Sequence, residues 1–461
     1  MDYSKLGYET KELSRQHFSA KGVTPKERKK TLDEYLPLLD DLTSLAAPFD
    51  VAERVQQIAA ERGCVPQDER EEFQDPTAFY AVKERNSNAF CLIAPGDQDY
   101  DFKQGINIIV THIDSPNLRV RAQPTYFESH PEKKFSHPGA YLEIVPNGGI
   151  LANDWVNKNG VLRGRTYIDG KERRFSVNAR IPHTSIHLET EDNEENDFDR
   201  VRVFTGATSV HELYKQLGIK SEMDFGPAEI YFYPSTTFTR LGDEYISTYG
   251  LDDRACVTPA VLAFLESEPR IPTFVFGLDC EEIGSTGASG RINGFLSSMV
   301  GRYVARRTSR DRTLEQLYNA GVLGTIPAIC ADVGPALSYN EEEHMPHITN
   351  LESAKFGFGP FICPSWEGYD SNSIAGPYIH YLQRAFDEEI KGKYQFVGSE
   401  FTSGKTQTYG LSHFAQYFTN QHIPMVAVGV PVGDLHRPGG ELMHIWDFLR
   451  TKQAYQAYIL R

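Results

Sequence analysis

The stretch FVFGLDCEEIGSTGASG, residues 274–290, ends an apolar strand on two adjacent glutamates. Its first five residues, FVFGL, carry no polar side chain, which is typical of a strand buried on both faces of a parallel sheet. Glu281 and Glu282 follow, and a run rich in glycine, serine and threonine then breaks the strand. Adjacent glutamates are commonly solvated, but rarely after such a strand. The pair therefore predicts a chemical site where the strand ends.

Four other segments place acidic or histidine side chains at the end of a strand or in the turn beside it. They are His112 and Asp114 after INIIVT, Asp252 and Asp253 in YGLDDRAC, Asp332 after PAICA, and His436 in MVAVGVPVGDLH. In open α/β sheets, ligands bind in the crevice outside the carboxyl ends of the strands, so these groups are expected to converge. Two histidines with several carboxylates describe a divalent metal site, most simply a zinc site.

The number of candidate ligands predicts two metal ions. A catalytic zinc ion takes about three protein ligands and keeps one open position. Five candidate ligands remain once one glutamate is set aside, which is more than a single ion takes. If one carboxylate bridges, the ligands divide into two sets that share it: His112, Asp332 and Asp252 for one ion, and Glu282, His436 and Asp252 for the other. Glu281 is then left to act as general base on a metal-bridging water and to return the proton to the leaving amine.

Three of these residues also have simpler interpretations. His112 taken alone is an ordinary polar residue at a strand end, and only the joint occurrence of the set predicts ligation. Asp253 is equally well placed to cap the helix RACVTPAVLAFLE, which is predicted to start near Arg254. Asp114 either ends its strand before a Ser-Pro turn or serves the catalytic site by accepting the second ring N–H of His112.

The rest of the chain predicts an α/β fold with an insertion. Of the 461 residues, 40% are hydrophobic and 24% charged, which fits one large two-part globular protein. Strands that alternate with helices predict a mostly parallel sheet flanked by helices. Short alternating segments with Gly-Gly and Asp-Gly turns predict an inserted, mostly β domain that makes oligomer contacts. The predicted domains are 1–118 and 228–461 for the two parts of the catalytic domain and 119–227 for the insertion, with the strand EIYFYP, 229–234, in the second catalytic part.

Charge and cysteine usage limit the partners and the compartment. The net charge of −16 disfavours nucleic acid and anionic membranes, because the field would repel polyphosphate. No apolar run reaches the roughly 18 residues of a membrane span, and the first residues lack the basic and apolar regions of a signal peptide. The six cysteines are widely spaced without a CxxC pair, as reduced thiols usually are, so a cytoplasmic location is expected.

The order of these segments resembles that of the aspartyl aminopeptidase family, family 18 of the metallopeptidases, and more distantly the tetrahedral aminopeptidases of family 42. THIDSPNLRV is similar to the family's first metal-ligand segment, LDDRAC to its bridging-aspartate segment, DCEEIGS to its base-and-ligand pair, and ADVGPAL to its second aspartate segment. ARIPHTSIHL resembles a segment whose histidine, His183 here, contacts substrate in a neighbouring subunit's pocket.

The resemblance implies a zinc-exopeptidase-like catalytic domain interrupted by a dimerisation domain, with dimers that assemble into a tetrahedral dodecamer. It implies two divalent ions, zinc in the first place and Mn²⁺ or Co²⁺ otherwise. The site residues carried over are the base Glu281 and the ligands His112, Asp252, Glu282, Asp332 and His436.

The last ligand segment, VPVGDLHRPGGELMHIWDF, departs from the family pattern. The family has a serine after the ligand histidine and a glutamate four residues on, whereas Arg437 follows here and Glu441 is five residues on. His436 keeps the family's spacing of five from Pro431 and is preferred. His444, which follows a methionine as the family ligand often does, is a rival.

Three functions of different classes remain open. The first is a metallo-aminopeptidase that removes N-terminal residues from peptides; acidic specificity is not implied, because the family's substrate loop is altered to FTSGKTQTYG, residues 401–410. The second is an amidohydrolase that removes N-acyl groups with the same metal site. The third is a non-catalytic, self-assembling scaffold with a structural metal site, against which the unligated Glu281 argues.

Overall fold

The computed structural model describes residues 19–86, 88–122, 139–183, 185, 187, 198, 201–284, 294–308, 327–336, 354–363, 372–397 and 424–461. These residues fall into two compact units. The bounds of the first unit are Met1–Asp114, Phe238–Leu435 and Leu442–Arg461, and those of the second are Ser115–Thr237 and His436–Glu441.

The described helices are α1 (Pro25–Lys30), α2 (Leu36–Thr43), α3 (Pro48–Glu61), α4 (Ala152–Trp155), α5 (Val210–Leu217), α6 (Leu251–Leu265), α7 (Phe295–Thr308), α8 (Asn372–Ile390) and α9 (Ile445–Ile459). A π-helical turn, Thr31–Tyr35, joins α1 to α2, and 3-10 turns lie at Phe102–Gln104, Glu222–Phe225 and Glu281–Ile283. Among these helices, none is both long and apolar enough to cross a bilayer.

The strands are β1 (Val65–Asp68), β2 (Tyr80–Lys83), β3 (Phe90–Ala94), β4 (Asn107–His112), β5 (Asn117–Val120), β6 (Tyr141–Asn147), β7 (Lys158–Ile168), β8 (Lys171–Ile181), β9 (Arg202–Phe204), β10 (Glu229–Pro234), β11 (Thr239–Leu241), β12 (Tyr245–Thr248), β13 (Thr273–Leu278), β14 (Ala328–Cys330), β15 (Gly334–Pro335), β16 (Phe361–Cys363), β17 (Gln395–Phe396), β18 (Met425–Gly429), β19 (Pro431–Gly433) and β20 (Glu441–His444).

Sequence signals at the ends of α1 show why the first helical stretch begins where it does. The hydroxyl of Thr24 accepts the main-chain N–H of Glu27 at 3.2 Å, and the Glu27 carboxylate accepts the main-chain N–H of Thr24 at 2.7 Å. This reciprocal capping box, followed by proline in the first turn, satisfies amides that the helix itself cannot pair.

A mixed nine-stranded sheet organises the first unit in the order β1-β2-β3-β13-β4-β14-β18-β16-β17. Strands β13, β4, β14 and β18 are neighbours and run parallel, whereas β3 and β16 on either side run antiparallel to them. The carboxyl ends of four adjacent strands therefore lie at one edge of the sheet. A smaller sheet has the order β11-β12-β20-β19-β15. The predicted α/β class is confirmed, and the parallel part of the sheet is its centre.

Alternate residues of the central strands enter two hydrophobic cores, one on each face of the nine-stranded sheet. Ile109, Val275 and Ile329 share a core with α2, α3, α6, α8 and α9. Ile108 and Phe274 share the other core with α7. Each such fully buried side chain contributes about 1.5–3 kcal/mol of hydrophobic stabilisation, which explains why strands such as FVFGL carry no polar residues.

A closed barrel, in the order β10-β5-β6-β9-β8-β7, forms most of the second unit. Strands β7 and β8 form a long hairpin whose turn residues, Asp169 and Gly170, have positive φ angles of 53° and 74°, as Asp-Gly hairpin turns require. The strand EIYFYP corrects the predicted assignment: it is β10 and pairs antiparallel with β7 and β5 of the barrel rather than opening the second catalytic part. Its composition suits either sheet, and only its hydrogen-bonding partners decide between them.

Candidate metal centre

His112 is the last residue of β4 and lies between two carboxylates. Its Nε2 is 3.0 Å from Oδ1 of Asp252 and 3.3 Å from Oδ1 of Asp332. The exposed fractions of the three residues are 1%, 3% and 6%. One imidazole nitrogen thus faces two carboxylate oxygens away from water, where charges are costly unless they are paired or bind a metal.

The spacing of these donor atoms fits one tetrahedral ion. Nitrogen and oxygen ligands at about 2.0–2.2 Å from zinc stand about 3.3 Å apart at a tetrahedral angle, and the observed separations are 3.0 and 3.3 Å. Imidazole and carboxylate are ligands that suit zinc, and also Mn²⁺ and Co²⁺. The residues present therefore fit the metal that the sequence predicts.

Asp114 holds three neighbouring groups in place. Its carboxylate accepts the main-chain N–H of Glu281 at 3.1 Å and that of Glu282 at 3.2 Å. Its main-chain oxygen is 3.1 Å, and its Oδ1 3.4 Å, from Nδ1 of His112. In the neutral ring, a hydrogen on Nδ1 has acceptors in Asp114, which leaves the lone pair of Nε2 facing the space between the carboxylates.

The two glutamates of the opening motif form the 3-10 turn Glu281–Ile283, directly after Cys280, whose φ is 64°. Glu281 is only 5% exposed, whereas Glu282 is partly exposed. Oε1 of Glu281 is buried and has no hydrogen-bond partner among the described residues. Because buried carboxylate oxygens are rarely left without a partner, this oxygen is available to a water or a substrate group.

The concentrated charge shifts the pKa values of this cluster. Burial lowers the pKa of His112, but the negative charges of Asp332 and Asp253 outweigh burial and hold it well above the usual value. Burial raises the pKa of Glu281 to about 8; the charge of His112 opposes this rise and that of Asp332 adds to it. Without a bound cation, Glu281 therefore keeps its proton at neutral pH.

The pair Asp252 and Asp253 stands at the start of α6, joined by a cis peptide bond. Neither residue has helical backbone angles, so the regular helix starts at Arg254, where the sequence predicts it. Asp253 is fully buried, and its Oδ2 is 3.3 Å from the main-chain nitrogen of His112. Asp253, for which the sequence allows either a helix cap or a role in the site, therefore contacts the main chain of the predicted ligand His112.

Two residues without a recognised motif also shape the site. A Cβ atom at Gly429 would lie 1.6 Å from the carbonyl oxygen of Asp332, so only glycine lets β18 pass this close. Its sequence signal is a glycine inside an apolar strand, MVAVG, which marks close approach of another main chain. Arg254 is 1% exposed and its guanidinium donates to the carbonyl oxygen of Asp114 at 3.4 Å.

His436 belongs to the second unit, in the segment His436–Glu441. Its Nδ1 is 2.9 Å from the carbonyl oxygen of Gly149, and its main-chain N–H donates to Oε1 of Glu441 at 3.0 Å. Donation from one ring nitrogen to a carbonyl is the usual way in which metal-ligating histidines are oriented. The glutamate that departs from the family spacing is buried and fixes the main chain of His436.

His444, the rival, ends β20 and immediately precedes α9. Its ring packs edge-on against Tyr245 with centroids 5.1 Å apart. Its ring nitrogens lie 3.4 Å from Ser19 Oγ, 3.8 Å from Glu244 Oε2 and 3.7 Å from Asp447 Oδ2. None of these neighbours is a predicted ligand, so they give the rival assignment no support.

The sequence also predicts two substrate-binding elements, His183 and the loop at 401–410. His183 is exposed and follows the end of β8 by two residues, within the second unit. The loop FTSGKTQTYG, residues 401–410, lies outside the described residues. A role in substrate binding stays a prediction for both.

Sequence comparison identifies the family to which this arrangement belongs. A sequence model of the family described as aminopeptidase I zinc metalloprotease (M18) matches residues 42–457. The chain belongs to the M18 family. The resemblance inferred from the motifs is thereby confirmed, and the protein is a metal-dependent aminopeptidase, an exopeptidase of the hydrolase class.

Individual relatives match over most of their length. The probable M18 family aminopeptidase 1 of Borreliella burgdorferi (strain ZS7) is 24% identical over 415 residues, covering 82% of this chain and 85% of its own. The probable M18 family aminopeptidase 1 of Thermotoga maritima is 23% identical over 436 residues, covering 87% and 90%.

Solved structures share the fold. The crystal structure of the M18 aminopeptidase from Thermotoga maritima superposes with a TM-score of 0.79 at 21% identity, covering 96% of this chain and 98% of that one. The mApe1 dodecamer of S. cerevisiae gives a TM-score of 0.69 at 15% identity, covering 92% and 96%. At such low sequence identity, the structural similarity is evidence for the fold only.

Proposed function

We propose that this M18 family member is a dinuclear aminopeptidase that removes N-terminal residues from peptides. Two ligand sets share Asp252: His112 and Asp332 complete the first, and Glu282 and His436 complete the second. Zinc, which the family description names, is the expected metal, with Mn²⁺ or Co²⁺ as alternatives. Bound ions would supply Lewis acidity to the scissile carbonyl and lower the pKa of water.

Glu281 is the proposed general base. It takes a proton from the attacking water and delivers it to the amine that leaves. Its buried Oε1, which has no hydrogen-bond partner among the described residues, supports this role. Its pKa, about 8 without a cation, would fall towards neutrality beside divalent cations, because positive charge favours the carboxylate. A pKa near the working pH lets one group both accept and return a proton.

One observation carries the proposal: His112 Nε2 faces Asp252 and Asp332 at 3.0 and 3.3 Å while its Nδ1 contacts Asp114. The same Asp114 fixes the main chain at Glu281. A ligand set and a base are thus held by one buried carboxylate, which a structural metal site would not need. In this scheme Asp114 acts through other residues, as a positioning residue.

We further propose that the insertion predicted at 119–227 is a dimerisation domain and that dimers form a tetrahedral dodecamer. The yeast relative described as a dodecamer supports this assembly. His183 would then reach the substrate pocket of a neighbouring subunit. The isolated cysteines support the cytoplasm as the location.

The test combines metal analysis with hydrolysis of aminoacyl and N-acyl amide substrates. We expect about two ions per chain in the wild type and hydrolysis of free aminoacyl amides only. Glu281→Gln should lower turnover by about 10²–10⁴ and keep both ions, because the base is not a ligand.

Glu282→Gln is the matched control, since it removes a predicted ligand from the adjacent position. It should lower the metal content. Near-normal turnover in Glu281→Gln would reject the base assignment, and metal loss in that variant would show that the two glutamates have exchanged roles. Hydrolysis of N-acyl substrates alone would favour the amidohydrolase.

A further inference from the structure

Asp253 joins the two chain segments that carry His112 and Asp252. It directly follows Asp252, and it accepts the main-chain N–H of His112 across 141 residues of sequence, with 3.3 Å between nitrogen and Oδ2. Its side chain has no exposed surface. A single buried carboxylate thus connects the end of β4 to the start of α6.

The main chain of Asp253 belongs to the start of α6. It directly precedes Arg254, where the regular helix begins, and both Arg254 and Cys256, three residues further along, are buried. Asp253 is therefore anchored at one end in the helix and bound at the other end to the last residue of a central strand.

We propose that Asp253 is a positioning residue that sets the separation between His112 and Asp252 and thereby the affinity for the ion they share. The inference rests on the ligand set of the proposed function. His112 Nε2 and Asp252 Oδ1 stand 3.0 Å apart, and metal–ligand distances in real sites agree with their standard values to within about 0.2 Å. Partners that orient ligands without touching the ion typically contribute about 10- to 100-fold to metal affinity.

A direct ligand role for Asp253 is the alternative, because one of its oxygens lies within 4.8 Å of donor atoms of His112, Asp252 and Asp332. The hydrogen bond from His112 occupies Oδ2 and supports positioning, whereas Oδ1 is buried without a hydrogen-bond partner among the described residues and is the oxygen through which ligation would occur. Asparagine separates the two roles. Its amide oxygen still accepts the main-chain N–H of His112, but it is a poor substitute for a carboxylate ligand.

The experiment measures Co²⁺ binding to chelator-treated, full-length protein by calorimetry and visible absorption. We expect Asp253→Ala to weaken one class of Co²⁺ site by about 10- to 100-fold with the same number of ions at saturation, and Asp253→Asn to bind within a few fold of the wild type. Loss of one ion in both variants would overturn positioning in favour of ligation. If Asp253→Ala binds Co²⁺ with wild-type affinity, the positioning role is rejected and the proposed function is not affected. If the wild type itself binds no Co²⁺, the proposed function is rejected together with the positioning role.

Asn107→Ala is the matched control at the opposite end of β4. Asn107 is fully buried and donates to the carbonyl oxygen of Ile459 at 3.2 Å and to Thr273 Oγ1 at 3.4 Å. This variant should lower the thermal midpoint and leave Co²⁺ affinity unchanged. If it weakens Co²⁺ binding as much as Asp253→Ala does, the effect of Asp253 is general stability and the positioning role is rejected.

Discussion

Glu281 couples the protonation of one buried carboxyl to the stability of the metal-free protein. Its pKa is about 8 in the folded chain, against 4.5 for an ordinary glutamate. Between these values the folded state binds a proton that the unfolded chain releases. The stabilisation from this protonated carboxyl is therefore fully present below about pH 4.5 and is lost as the pH rises through about 8.

We predict that Glu281→Gln removes this pH dependence. In chelator, the free energy of unfolding of the wild type relative to the variant should fall by on the order of a few kcal/mol from pH 5 to pH 9. Urea unfolding at several pH values measures it. Added zinc should reverse the loss in the wild type, since a cation stabilises the ionised form. A difference that does not change with pH would contradict the raised pKa.

The residue types of the candidate site were predictable because each stands where an apolar strand stops. His112, Asp332 and the glutamate pair interrupt runs of buried residues, and a polar group there needs a chemical reason. The contacts of Asp253 and Gly429 were not predictable in the same way. Each depends on a second segment, β4 for Asp253 and the chain at Asp332 for Gly429, and local patterns do not specify such pairs.

Among the secondary-structure elements, β18 approaches the chain at Asp332 closely only because residue 429 is glycine. We predict that Gly429→Ala lowers the free energy of unfolding by about 3 kcal/mol, because a Cβ 1.6 Å from the Asp332 carbonyl oxygen forces the chains apart. Metal affinity should fall with it, since Asp332 is displaced. Urea unfolding and Co²⁺ titration measure the two effects.

Gly376→Ala in α8 is the control for that substitution. A Cβ there meets no atom of the described residues within 4 Å, and alanine favours a helix over glycine by about 0.5–1 kcal/mol. This variant should be slightly more stable than the wild type with unchanged metal affinity. If the two alanine variants behave alike, the close approach of β18 to Asp332 is not what requires glycine.

Glu266, just after α6, ties together helices from both ends of the chain. Its carboxylate accepts the ammonium groups of Lys30 and Lys452, each at 2.7 Å, and the hydroxyl of Tyr35 at 2.8 Å. Burial tends to raise the pKa of Glu266, but these hydrogen bonds outweigh burial and lower it. Its stabilisation is therefore present above the ordinary glutamate pKa and is lost as the pH falls through the lowered value.

We predict that Glu266→Gln lowers the free energy of unfolding by about 2 kcal/mol at neutral pH, because Lys452, which is 5% exposed, loses its charged partner. The gap between variant and wild type should narrow on acidification. The exposed Glu268, changed to glutamine, is the control and should stay within about 0.5 kcal/mol of the wild type. Equal stability of the two variants would show that the three hydrogen bonds add nothing.

The fold was predictable to the extent that its elements are locally encoded. Strands such as FVFGL and helices with apolar spacing along α3 indicate their own type, and their alternation indicates an α/β sheet. EIYFYP shows where this reasoning stops. The strand was correctly predicted as a strand and wrongly assigned to the catalytic part. Its composition does not determine which strands it pairs with, and in the structure these are β7 and β5.

For the whole molecule, family membership and assembly are inferred from different kinds of observation. Membership follows from a match over residues 42–457, although the relatives from Borreliella burgdorferi and Thermotoga maritima are only 24% and 23% identical. Assembly depends on complementary surfaces of several copies, which a single sequence does not display. A property of mixed oligomers is therefore the sharpest test of it.

We predict that two defective variants complement each other when subunits are exchanged. In a dimer of Glu281→Gln with His183→Ala, the site built on the second chain combines its own Glu281 with the intact His183 of the first. Random pairing of equal amounts makes such sites about a quarter of the total. Aminoacyl amide hydrolysis should therefore rise to about a quarter of the wild-type rate after reassembly. Each variant alone should keep a low rate of hydrolysis. The control is mixing without subunit exchange, which should give only the average of the two low rates. If subunits exchange, as tagged chains in one complex would show, and activity stays at that average, His183 acts within its own chain or not at all.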